Sequence, residues 1–297
     1  AVKEVSVTLR KKIVEDISNE DQLEQVATIS ANNDPEVGKL ISTAIKNVGH
    51  EGVVHIEESK SGETYLENVE GMQFERGYKS HYFVNNHNMT AVLEDVSILI
   101  VDQKLTAVKD LLPIYETCAA NNKSLLIIAE DIDNEALATL IVNKGRGTIK
   151  ACAVKAPDFG DRRKLILEDI ATMTGGTVFS KDKGHKWERF EHGWFGSART
   201  VTVTKDKTTI IDGGGNEDAI NQRVEELVQQ IELAESDFEK EQLQGRLARM
   251  AGGVSIIHVG GYTEIEMNEK KDRVDDALHA TKAAIEEGIV PGGGAAL

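Results

Sequence analysis

The 297-residue sequence predicts an α/β fold in which one α/β domain is inserted into a second, mostly helical and discontinuous domain. Three observations predict it. Continuous apolar runs at 96–102 (VSILIVD), 124–131 (SLLIIAED) and 149–154 (IKACAV) alternate with helical stretches at 108–121 and 133–145, the pattern of buried parallel strands under covering helices. The flanks, 14–69 and 254–287, are mostly helical and can close a core only by packing together. Gly71 and the pair Gly252–Gly253 stand where the pattern changes, and two such crossings side by side make a hinge.

The elements follow in chain order. SNEDQLEQVATIS carries a capping signal, Ser18 with Asp21, and apolar residues at Leu23, Val26, Ala27 and Ile29, which predicts a helix. DPEVGKLISTAIKNVG opens on Asp34–Pro35 and closes on Gly49, a second helix. GVVHIEESKSGETYLENVEG predicts two short strands joined by a Ser/Gly turn. After the central strands and helices, RKLILEDIATMTGG (163–176) is a helix stopped by glycines. RTVTVTKDKTTIIDGGG (199–215) alternates with period two and predicts a hairpin, with DGGGN as its exit turn. Residues 217–250 form a charged helical pair broken near Ser236. A strand, VSIIHVGG, and a closing helix complete the chain.

Composition narrows the function. The hydrophobic share, 40%, supplies a core, and the aromatic share, 5%, makes it aliphatic. A net charge of −16 argues against nucleic-acid binding by bulk electrostatics, which needs a basic face. No stretch reaches membrane-spanning length, and the start lacks a signal peptide's apolar run. Cys118 and Cys152 lack metal-ligand spacing and suit reduced structural thiols. The histidines form no i, i+4 pair flanking an acid, so no metal site is expected. The first residue is not methionine and the end is abrupt, so both termini are expected to be cuts.

Two helices are more apolar than a sheet requires. In DNEALATLIVNKGRG, the apolar residues from Ala136 to Val142 spread over roughly 240°, where about 100° suffices to cover a sheet. The surplus is Leu137, Ile141 and Val142. In DLLPIYETCAANN, Leu111, Ile114 and Cys118 make a core stripe, and Leu112, Tyr115 and Ala119 a second one beside it. Either these helices are buried on two sides, or their spare edges form a groove for a partner; the residues leave both open. In GYKSHYFVNN, an extended backbone places Tyr78, Ser80, Tyr82 and Val84 on one face, as a contact surface or, more plainly, an edge strand.

Several segments then resemble one family. VATISANND, VGHEGVV, VEGMQFERGY, LLIIAEDID with NEALATLIVN, VKAPDFGDRRK, DIATMTGGTV and EKKDRVDDALHATKAAIEEGIVPGGG are similar, in order from about Gln25 to Leu297, to the group I chaperonins, the GroEL family. Ala283 to Gly294 fits the family signature A-[AS]-x-[DEQ]-E-x-x-x-x-G-G-[GA].

The resemblance implies an apical substrate-binding domain at 70–253 inserted in an intermediate domain made of 14–69 and 254–287. The equatorial ATPase domain is left as stubs at 1–13 and 288–297. It implies a molecular chaperone that captures unfolded polypeptides and the mobile loop of a GroES-like co-chaperonin. The substrate-binding positions fall on Tyr78, Ser80, Tyr82, Phe83, Leu112, Tyr115, Leu137, Ile141 and Val142, with Glu116 and Arg146 at the rim. Asp276 matches the catalytic aspartate and Gly293 a nucleotide-contacting glycine. Arg76 and Glu264 match an inter-subunit ion pair, and Gly71, Gly253 and Gly288 are the hinge glycines. The full-length parent is expected to be an ATP-hydrolysing enzyme of the isomerase class, using ATP with Mg in a homo-oligomeric double heptameric ring in the bacterial cytoplasm. No bound nucleotide, nucleic acid or membrane is expected for this chain alone, because the family's phosphate-holding segments are not in it. The alternative is an ATP-independent polypeptide- or partner-binding module. The chain departs from the family at Lys79, His81, Tyr115 and Asp158, and in 181–198, which contains Trp187 and Trp194.

Overall fold

The computed structural model describes residues 14–17, 19–49, 53–59, 62–234 and 236–292, except the side chains of Glu20, Asp110 and Asn134. The chain divides into two compact units. One is Val69–Gly253; the other joins Ala1–Asn68 to Val254–Leu297.

Helix α1 (Glu20–Ser30) begins on Asn19, whose side-chain oxygen accepts the Gln22 N–H at 2.8 Å. The cap is therefore one residue later than the sequence suggests; Ser18 lies outside the described residues. Helix α2 (Pro35–Val48) has Asp34 as its cap and Pro35 in its first turn. Its buried stripe, Val37, Ile41, Ala44, Ile45 and Val48, faces α1. Gly38 lets the two helices touch: a Cβ there would collide with Thr28. Strands β1 (Val53–Glu58) and β2 (Tyr65–Val69) follow.

The second unit is built on a seven-stranded sheet. Its elements are β3 (Gly71–Phe74), β4 (Ala91–Leu105), α3 (Leu112–Ala120), β5 (Ser124–Ile132), α4 (Asn134–Gly145), β6 (Ala151–Lys155), α5 (Gly160–Thr174), β7 (Val178–Phe179), β8 (Gly196–Val203), β9 (Thr208–Gly213), α6 (Glu217–Leu233) and α7 (Asp237–Ala251). The sheet order is β3-β9-β8-β4-β5-β6, with β7 also paired to β4. Strands β4, β5, β6 and β7 pair in parallel, whereas β8, β9 and β3 pair antiparallel, so the sheet is mixed. The parallel strands are buried on both faces, which is why they read as unbroken apolar runs.

The 181–198 segment, which has no counterpart pattern in the resembled family, closes one region of this sheet with aromatic rings. Trp187 stacks on Phe179 of β7 at 3.7 Å between ring centroids, and Trp194, Phe190 and Phe195 extend the cluster.

Strand β10 (Val254–Val259) and helix α8 (Glu264–Glu287) complete the first unit. The sheet order is β1-β10-β2, with β1 and β10 parallel. The two strands that the sequence predicts are present, and they do not pair with each other: β10 lies between them. Every residue of β10 is buried, as a central strand requires, while β2 is largely exposed. Thr263 caps α8, and the buried side of the helix runs through Val274, Ala277, Leu278 and Thr281.

Candidate functional site

Handedness places the two over-apolar helices together. The β4-α3-β5 and β5-α4-β6 connections step the same way along the sheet, so right-handed crossovers put α3 and α4 on the same face. Helix α5 leads back from β6 to β7 beside β4, so it lies on the opposite face, where α6 and α7 pack on it.

On α3, Leu111, Ile114 and Cys118 are buried, while Leu112 is 47% exposed and Ala119 is also open. Tyr115 departs from the expected exposed edge: only 7% of it is accessible. Its hydroxyl is buried without a hydrogen-bond partner, and burial pushes the phenol pKa above its ordinary value. On α4, Ala136 and Leu140 are buried, Leu137 and Ile141 half-buried against the core, and Val142 48% exposed. Glu116 and Arg146 are exposed.

The third piece is not extended as the sequence suggests. His81–Phe83 forms a short 3-10 turn, with the Ser80 hydroxyl accepting the Tyr82 N–H. The turn separates the two rings: Phe83 enters the core, and Tyr82 is 61% exposed with its ring 4.2 Å from that of His81. Tyr78 and Ser80 are half-buried, and Tyr78 bridges to Val154 of β6. Lys144 of α4 donates to the carbonyl oxygens of Tyr82 and Val84 at 2.8 and 2.9 Å. Leu112, Val142 and Tyr82 thus expose apolar surface, Leu137 and Ile141 contribute partly, and Tyr115 and Phe83 support from below. Sequence reasoning missed the lysine tie, which leaves no periodic signal.

The other predicted residues lie elsewhere. Asp276 is exposed on α8, on the side away from Val274, Ala277 and Leu278. Gly293 and the stub 1–13 fall outside the described residues. Arg76 is exposed beside an open cleft of about 530 Å³ shared with Tyr78, Lys155, Lys205 and Lys207. Glu264 is exposed in the first turn of α8. Gly71 is a buried, paired residue of β3 rather than a joint; the passage between units falls at Asn68–Val69. Gly253 has φ 61° at the return passage. Gly288 has φ 78° and follows α8; next to it Glu15 and Ile289 exchange backbone hydrogen bonds of 2.9 and 2.8 Å.

The Gly213–Gly215 turn is filled by its own fold: Cβ atoms there would collide with the backbone of Met173 and Thr172 and with Ser197. Among the described residues, no three His, Cys, Asp or Glu side chains are grouped to hold a metal ion. Among the described residues, no helix is long and apolar enough to cross a membrane.

The TCP-1/cpn60 chaperonin family model matches residues 1–297. The chain belongs to that family, whose members are ATP-dependent chaperones that form oligomeric rings and bind unfolded polypeptides.

Proposed function

We propose that this chaperonin-family chain captures non-native polypeptides on the α3/α4 face of its 69–253 unit, which acts as the apical domain of an ATP-driven group I chaperonin. One observation carries the reading. Leu112 and Val142 stay about half exposed although Leu111, Ile114, Ala136 and Leu140 already close the core beneath them. Apolar side chains left open beside a finished core suit a ligand whose shared property is exposed apolar surface. The mobile loop of a GroES-like co-chaperonin would use the same face. The flanking unit, 14–69 with 254–287, serves as the intermediate domain. Asp276 is its candidate catalytic carboxylate, Arg76 and Glu264 pair neighbouring subunits of a double heptameric ring, and the setting is the bacterial cytoplasm. ATP with Mg would be held by residues supplied elsewhere in the parent, an isomerase-class ATPase; this chain alone works as a nucleotide-independent holder.

The test replaces Leu112 and Val142 with serine. Both are half exposed, so each change should move stability by no more than about 0.5 kcal/mol. Suppression of aggregation of a denatured client should be lost on the same sample. Unimpaired suppression would remove this face from the function.

A further inference from the structure

We propose that Lys79 is a positioning residue for the polypeptide-binding face, latching the Tyr78–Val84 segment to the start of α4 so that the two form one rigid wall. The inference rests on the function proposed above and adds how the face is held. The Lys79 ammonium sits between two carboxylates of the β5–α4 junction, 2.6 Å from Asp131 Oδ1 and 3.1 Å from Asp133 Oδ1. The remaining oxygens are also taken: Lys155 is 3.0 Å from Asp131 Oδ2 and Lys104 is 2.7 Å from Asp133 Oδ2. Lys79 and Asp131 are each about one-fifth exposed, so the pair is sheltered from solvent. Burial works against charge on both Lys79 and Asp131. All their partners together outweigh it: Asp131 and Asp133 raise the lysine pKa, and Lys79, Lys155 and the Ile132 N–H lower that of the aspartate.

The latch acts on the residues that matter. The Lys79 N–H donates to Ala153 of β6 at 2.8 Å, and the Tyr82 turn follows within the same segment. Lys144 then fastens the far side of that turn to α4.

Removing Lys79 spares the fold, because Asp131 keeps Lys155 and Asp133 keeps Lys104. The experiment compares wild type, Lys79→Met and Lys79→Arg by amide hydrogen exchange at residues 80–84. It is paired with binding of a reduced, carboxymethylated, permanently unfolded polypeptide. Lys79→Met should speed exchange there and weaken binding, each by about tenfold, the scale of a sheltered charge pair lost. Lys79→Arg should restore both. Unchanged exchange in Lys79→Met, or an arginine variant no better than methionine, overturns the latch. Should wild type fail to bind the unfolded probe, the function reading falls, and the exchange comparison still decides the latch. If Lys79→Met does not fold, Asp133→Asn reads the same exchange, with faster exchange supporting the latch and wild-type exchange overturning it.

Discussion

Helices α4 and α5 lie on opposite faces of one sheet, and each carries more apolar surface than a sheet can cover. On α5 most of it is buried: Ile166, Leu167, Ile170 and Met173 are all inaccessible or nearly so, because α6 and α7 pack as a layer over the helix, and Leu165 at its open edge is 40% exposed. That layer even seals in a charge. Asp169 receives Arg246 through two hydrogen bonds of 2.7 and 2.8 Å and Arg223 through one of 3.0 Å. Among the described residues no helical layer covers α4, so Val142 stays open and Leu137 and Ile141 stay half open. The same excess of apolar residues thus leaves a largely buried helix on one face and, on the other, the surface proposed above for polypeptide capture. What separates them is the next layer, which periodicity cannot report.

The largest effect should come from unsealing the covered face. Asp169→Ala strands the buried Arg246 guanidinium, while Arg223 keeps Glu226, and losing one side of a buried pair costs about 3–5 kcal/mol. Denaturant unfolding measures it, and client capture per folded molecule should stay unchanged. A loss under about 1 kcal/mol, the range of exposed pairs, would mean the second layer does not exclude water. Next comes the open face, probed one residue from its surface. Leu140 is fully buried, two residues before half-exposed Val142. Leu140→Ala should cost about 2–5 kcal/mol as a core truncation, an order above the cost of a serine at Val142. Similar melting shifts for the two would erase the distinction between core and surface on α4.

Much of this was legible in the sequence. Continuous apolar runs identified the parallel strands because burial on both faces leaves no alternation to misread, and Asp34–Pro35 and Gly49 bounded their helix. Strands β1 and β2 were legible but their shared partner was not: β10, which separates them, arrives only after the whole inserted unit, and local turn chemistry carries no record of it. In the candidate site, the stripes on α3 and α4 identified Leu112 and Val142, but a stripe does not say how deep a residue sits, and Tyr115 proved buried. The Tyr78–Val84 segment was misread as extended because alternation survives in a sequence even when Ser80 caps a 3-10 turn. The Lys79 latch joins residues more than fifty positions apart, beyond any local pattern.

The smallest effect sharpens the comparison at the floor of the open face, where a polar group is buried unpaired rather than sealed in a network. The Tyr115 hydroxyl has no hydrogen-bond partner in the fold but is solvated when the chain unfolds. Tyr115→Phe removes that penalty without a cavity, so it should stabilise the protein by about 1 kcal/mol, seen as a higher urea midpoint. A pH arm isolates the cause. Burial raises the folded phenol pKa above its unfolded value of about 10. The unfolded chain therefore loses its proton first as pH rises. This contribution to stability is complete below pH 10 and declines progressively above it. Wild type should lose stability between about pH 10 and 11 faster than Tyr115→Phe, in which that titration is absent. Parallel alkaline profiles would show that the phenol titrates as it does in the unfolded chain, and a variant less stable than wild type at neutral pH would show that the hydroxyl is partnered after all.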